Sequence, residues 1–192
     1  MLKVMLINDA GGRAAALRHT LEQAGVQVVA ECGPVRDLES AIAQAAPDVV
    51  LIDTDAPSRD TLEGVCVASA RSARPVVMFT GAGNREAIRH ALQAGVAAYV
   101  VGEVPASRIQ SLFDVAIERF EVEQARREAL SEAQQRLADR QWVDKAKGLM
   151  MRMRNVSEDE AYRLLRERAM QSQRRIGDVA RELVEVTGWL KG

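Results

Sequence analysis

Two groups of residues in this chain have the types and the spacing to do chemistry. The first is cationic. From Gln141 to Met170 the sequence reads QWVDKAKGLMMRMRNVSEDEAYRLLRERAM. Read as helix, it brings Trp142, Ala146, Leu149, Met150 and Met153 onto one narrow face, because steps of four, three and one accumulate close to whole helical turns. Lys145 and Arg152 border that apolar stripe on one side, and Lys147 and Arg154 border it on the other. Arg166, Arg174 and Arg175 follow in the next segments, and side chains of this kind grip phosphates. The second group is short and polar. Asn8-Asp9, Asp53 and Thr80 each close a run of apolar, β-branched residues, and the C-terminal ends of parallel strands are where such sheets build sites.

The cationic group needs helices to position it. The first helix is expected to stop at Asn155-Val156. A second begins with Ser157 as N-cap and Glu160 three residues later, the reciprocal pattern of a capping box. In that second arm Ala161, Leu165 and Ala169 recur every four residues, and small Ala146 and Gly148 are expected to let the two backbones approach closely. Beyond Arg174-Arg175, a last amphipathic helix carries Ile176, Val179, Ala180 and Leu183 on one face, with Gly188 expected as its C-cap. Trp189 and Leu190 either fold back or fray.

The string A-K-G-L-M at Ala146 to Met150, then E-A-Y-R-L-L-R at Glu160 to Arg166, A-M at Ala169-Met170 and I-G-D-V-A at Ile176 to Ala180, resembles the ANTAR domain over roughly Ala138 to Val186. That family is a three-helix module of bacterial regulators that binds nascent RNA and prevents transcription termination. The resemblance implies RNA hairpins in leader transcripts as ligand, with Lys145, Lys147, Arg152, Arg166, Arg174 and Arg175 as RNA-binding candidates. Lys147 and Arg166 lie within the quoted strings; for the other four a merely solvated role stays open. Tyr162 is either a base-stacking residue or a core-edge tyrosine.

The polar group needs a sheet. Strands are predicted at Lys3 to Ile7, Val28 to Glu31, Val49 to Asp53, Val76 to Phe79 and Ala98 to Val101, alternating with helical segments around Ala14 to Ala24, Val35 to Ala45, Leu62 to Arg71 and Arg85 to Ala94. Gly25 and Gly95 are placed to end the first and fourth of these helices. The arrangement is similar to the response-regulator receiver domain, an α/β flavodoxin-like fold with a five-stranded parallel sheet. In receivers two acids and a phosphoacceptor Asp hold Mg²⁺, while a hydroxyl and a Lys bind the phosphoryl oxygens. Asp53 matches the acceptor, Asp9 one of the acids and Thr80 the hydroxyl. Asp9 and Asp53 are therefore the residues toward which a weakly held Mg²⁺ is implied, with no other cofactor.

Two positions depart from that pattern. Asn8 takes the place of the first acid and removes a negative charge from the pocket. After the fifth strand Gly102-Glu103 stand where the family carries Lys, which deletes a favourable cation and adds a repulsive anion. These departures point to a pseudo-receiver in which Asp53 is not stoichiometrically phosphorylated. A conventional response regulator switched by phosphorylation of Asp53 is the alternative.

The domains expected are a receiver or pseudo-receiver at 1-105, a linker or dimerisation helix at 106-137 and an ANTAR domain at 138-192. The 192 residues suit two small domains. From Ala106 to Lys147 there is no Gly or Pro, which favours one long helix. Phe113, Ala116 and Phe120 start a heptad there, Glu123 and Arg127 break it, and Leu130 and Leu137 resume it. A homodimer through this helix and a solvated connector are both open. Cys32 and Cys66, without His or Cys at ligand spacing, read as reduced core thiols. No run is long and apolar enough for a membrane helix and no secretory signal pattern opens the chain, so a cytoplasmic protein is expected.

Charge is uneven. Residues 1 to 105 carry nine Lys/Arg against twelve Asp/Glu, whereas residues 139 to 192 carry twelve against nine. A surplus of three is too small to argue nucleic acid without the motif. No nucleophile, acid-base pair or metal cluster stands out, so no enzyme is expected. The degenerate receiver before the module resembles regulators of the NasT type, which govern nitrate and nitrite assimilation. That likeness implies a NasS-like nitrate/nitrite sensor protein as an inhibitory partner.

Overall fold

In the computed structural model the described residues are 1–8, 14–33, 38–54, 64–67, 70–81 and 83–189. They form two compact units, Met1–Gln124 and Ala125–Gly192.

The first unit grows from five apolar runs. Strands β1 (Lys3–Asn8), β2 (Gln27–Cys32), β3 (Val49–Asp53), β4 (Val76–Thr80) and β5 (Ala98–Val101) pair in parallel in the order β2-β1-β3-β4-β5. The strands read as nearly continuous hydrophobic sequence because both faces of the sheet are covered. Val4, Leu6, Val49, Leu51, Val77 and Phe79 face one side, together with Leu21 and Val26. Met5, Ile7, Val50, Ile52, Val76 and Met78 face the other. That second side is closed by Leu38 and Ile42 of α2 (Leu38–Ala45), by Val65 and Cys66 of a helical turn at residues 64–67, and by Ala91 of α3 (Arg85–Ala94). Helix α1 (Ala14–Gln23) lies on the first side through Leu21. Gly25 and Gly95 take left-handed φ values of 74° and 109° after α1 and α3, as helix-ending glycines should.

One helix, α4 (Ala106–Arg154), runs for 49 residues and contributes to both units. Its absence of Gly and Pro up to Lys147 explains the length. Its first turns depart from the expected heptad: Ile109, Phe113 and Ala116 are fully buried against the sheet, and Phe120 is partly buried there. Phe113, Ala116 and Phe120 are thus receiver core, not a dimer seam, because a parallel sheet needs an apolar helix over this face. Leu130 and Leu137 are each 60% exposed.

The second unit is built from the C-terminal part of α4, α5 (Glu158–Ser172) and α6 (Ile176–Trp189). Val143, Ala146, Leu165, Ala169, Val179 and Ala180 form its core, with Trp142, Met150, Ile176 and Leu183 packed around them. Asn155 turns the chain with φ 53°. Ser157 then caps α5, its side-chain oxygen accepting from the Glu160 N–H at 3.2 Å. The Glu160 carboxylate pairs with Arg163, so it serves the α5 surface.

Three expectations for this unit are corrected. Met153 is 59% exposed, because the buried stripe ends at Met150 and Val143 takes a place in it. Gly148 is not the point of close approach, since a Cβ there would meet only an Arg152 nitrogen at 3.7 Å. The close approach is at Gly177, where a Cβ would stand 2.7 Å from the Cβ of Asp139 and 2.3 Å from its Oδ1. Gly188 does not cap α6, which continues through it to Trp189.

Candidate nucleic-acid interface and strand-end pocket

Register brings the polar group together. Asn8 lies beside Asp53 across the β1–β3 ladder, and Thr80 lies beside Val101 across β4–β5. Asp53, Thr54 and Thr80 are buried, at 8%, 5% and 2% exposure. Thr54, which sequence reasoning missed, follows β3 and donates its N–H to the Phe79 carbonyl at 3.2 Å. Asp9 lies outside the described residues.

Asn8 is engaged away from Asp53. Its amide nitrogen donates to Glu31 Oε1 at 2.8 Å, and the Glu31 carboxylate also receives Arg18 of α1 at 3.3 Å. The pocket's neutral residue is thereby tied to an acid on β2 whose charge a guanidinium offsets. Among the described residues no group of three His, Cys, Asp or Glu could hold a metal ion. Asp53 and, beside Asn8, Glu31 are the carboxylates at the described strand ends, and a hard cation such as Mg²⁺ prefers several oxygen ligands. Gly102 takes φ 83°, so a left-handed turn stands where a receiver carries its cation. Glu103 beyond it is exposed.

The cationic group divides by how each charge is held. Lys147 is a brace between helices: its Nζ donates to Asp144 at 2.7 Å and to Glu158 of α5 at 2.8 Å, and its side chain is only 17% exposed. The hydrogen bond to Asp144 leads the causes that raise the Lys147 pKa, and the same bond lowers that of Asp144. Arg174 is paired with Glu182 of α6. Arg163 bridges Glu160 and Glu167 along α5.

Lys145, Arg152, Arg166 and Arg175 are exposed. No carboxylate within ion-pair distance holds any of these four among the described residues. Lys145 instead stands 4.7 Å from the centroid of the Trp142 ring, and Arg181 of α6 lies 6.0 Å from it. Sequence patterns do not single out Trp142 and Arg181 as ligands; the signal that finds them is the cation–ring geometry. Tyr162 is 46% exposed, so it is a surface residue of α5. It shares a helix face with Arg166 and with Met170, which is 70% exposed.

Residues 4–114 match the response regulator receiver domain. The chain belongs to that family. Residues 131–184 of this response regulator match the ANTAR domain, so a receiver precedes an ANTAR output domain in a regulatory architecture. It is similar to the transcriptional regulatory protein PdtaR of Mycobacterium tuberculosis H37Rv, with 25% identity over 97% of this chain and 91% of that protein. It is also similar to the chemotaxis protein CheY of Listeria monocytogenes, at 23% identity over 60% of this chain and 98% of the other.

Among solved structures, the signal receiver domain of a modulated diguanylate cyclase from Desulfovibrio desulfuricans G20 aligns with TM-score 0.52 and 21% identity, covering 64% of this chain and 99% of that one. A LuxR-family response regulator from Aurantimonas aligns with TM-score 0.51 and 20% identity, covering 66% and 97%. These likenesses carry the receiver fold alone. No helix among the described residues of this response regulator is long and apolar enough to cross a membrane.

Proposed function

We propose that this response regulator is a cytoplasmic transcription antiterminator that binds hairpins in nascent leader RNA and prevents the terminator from forming. The observation that carries this reading is the ANTAR domain at residues 131–184, whose surface holds Arg166 and Arg175 without carboxylate partners among the described residues. Exposed loop bases offer hydrogen-bonding edges and stacking faces, and the flanking phosphates attract such cations. The bound hairpin excludes the competing terminator, and polymerase reads through. A homodimer through α4, with exposed Leu130 and Leu137 at the seam, would make binding of the second hairpin intramolecular and raise avidity.

The test is titration of the full chain against stem-loop RNAs at several salt concentrations. Arg166→Ala and Arg175→Ala each weaken binding and flatten the salt dependence, by ~0.7 to 0.9 in the log–log slope for each phosphate that is no longer neutralised. Unchanged affinity and slope in both variants would place the RNA elsewhere or remove it from the account.

Control by a sequestering sensor is proposed over control by phosphorylation. It is supported by Asn8, neutral where receivers carry an acid, and by Gly102-Glu103, which stand where they carry Lys. A NasS-like sensor of nitrate or nitrite rests on the NasT-type resemblance of Ala98 to Val101 and of the A-K-G-L-M string. Burial of Asp53 and Thr80 at neighbouring strand ends favours the second reading, phosphoryl transfer to Asp53. A stable acyl phosphate at Asp53 from small phosphodonors would establish that second reading.

A further inference from the structure

A cation held by a carboxylate is neutralised where it stands, whereas a cation held by an aromatic face keeps its whole charge and loses only its freedom. In the C-terminal unit Lys147, Arg163 and Arg174 belong to the first kind, and Arg181, paired with Glu185 and near the Trp142 ring, shares in both. Lys145 belongs to the second. Its Nζ lies 4.7 Å from the Trp142 ring centroid, and it forms no ion pair among the described residues. Trp142 is itself anchored, packed against the core that Val143, Ala146 and Val179 build. The same ring has Arg181 of α6 at 6.0 Å, and Glu185 offsets that guanidinium through one bond of 2.7 Å at Nε. The remaining guanidinium donors of Arg181 are outside that bond. Two cations from two helices thus converge on one indole, at the border of the apolar stripe opposite the Lys147 brace.

We propose that Trp142, Lys145 and Arg181 form an RNA-binding site on the α4–α6 side of the module. In it Lys145 and Arg181 bind neighbouring phosphates of one strand, and Trp142 is the positioning residue that holds both cations ready. The site rests on the proposed RNA-binding function and adds to it a tryptophan and an arginine that lie outside the A-K-G-L-M and E-A-Y-R-L-L-R strings. Its chemistry is backbone recognition, so it contributes affinity and salt dependence and little choice among loop sequences.

The experiment uses the full chain and, as probe, a stem-loop RNA selected against it from a pool with a randomised loop. Lys145→Gln and Arg181→Gln each weaken binding several-fold and lower the log–log salt slope by ~0.7 to 0.9. Trp142→Leu keeps apolar packing, and with both cations still in the sequence it loses affinity comparably. Trp142→Phe keeps an aromatic face and retains most of the binding. In a Trp189→Phe background Trp142 is the one tryptophan, and its fluorescence changes on RNA addition.

Far-UV circular dichroism and thermal melts show that each variant is folded. Wild-type affinity in Trp142→Leu overturns the site, as does equal loss in the Leu and Phe variants, which would mark a role for indole volume alone. If the pool yields no binder to the wild type, the RNA reading itself fails, an outcome distinct from wild-type binding that the variants leave unchanged.

Discussion

At the scale of single residues, Lys147 shows how one cation can hold two helices together. The A-K-G-L-M string makes it a leading RNA candidate, yet its ammonium bridges Asp144 and Glu158. The pH dependence of this brace follows from its pKa shifts. The lowered Asp144 pKa gives stability that is present above the ordinary carboxylate range and lost as pH falls through the lowered value. The raised Lys147 pKa gives stability that is present below its ordinary 10.5 and lost as pH rises through the raised value. Thermal melts of the wild type should therefore exceed those of Lys147→Met across the neutral range, with the gap closing toward both extremes. A pH-independent gap would mean that the lysine stem, not its charge, is what matters. Cys66 offers a second check: burial pushes its thiol up to about 11. A thiol reagent near neutral pH should leave it unmodified until the chain is unfolded.

At the scale of elements, the three helices of the C-terminal unit are fixed by particular neighbours. Gly177→Ala would put a methyl 2.7 Å from the Cβ of Asp139, an atom carried rigidly by α4, so one helix must shift. Overpacking of this kind costs about 1 to 3 kcal/mol. Chemical denaturation should show that loss, and Asp139→Gly in the same chain should recover part of it. Ser157→Ala removes the α5 cap and should cost about 1 kcal/mol.

These same features mark what could be read from the sequence. Strand positions, the length of α4 and the Ser157 cap follow from local patterns of period two, period 3.6 and capping, and all are legible. The partner of each cation is not. That Lys147 meets Glu158, and that Phe113 meets a sheet, depends on residues distant in sequence. Periodicity tells that a face is buried and not against what. Gly148 invites close packing because it lies within a motif, whereas the glycine that needs its missing Cβ is Gly177, facing a residue 38 positions earlier.

At the scale of the whole molecule, each unit has a core of its own. Leu165 is 3% exposed and belongs to the C-terminal core, so Leu165→Ala should cost about 2 to 5 kcal/mol there. Amide exchange should report the loss in α5 and α6 while protection of β1 and β3 stays as in the wild type. Loss of protection in both units together would show that they unfold as one.

The hydrogen bond from Asn8 to Glu31 also sets the terms on which this receiver could regain its missing acid. Asn8→Asp alone would replace that 2.8 Å bond by two facing carboxylates, one of them held by Arg18, and the chain should melt earlier at neutral pH. Adding Glu31→Gln returns a donor to the pair. Glu31→Gln made first leaves Asn8 an amide oxygen to donate to and spares the chain the facing carboxylates, so the order of the two changes decides whether a less stable intermediate is crossed.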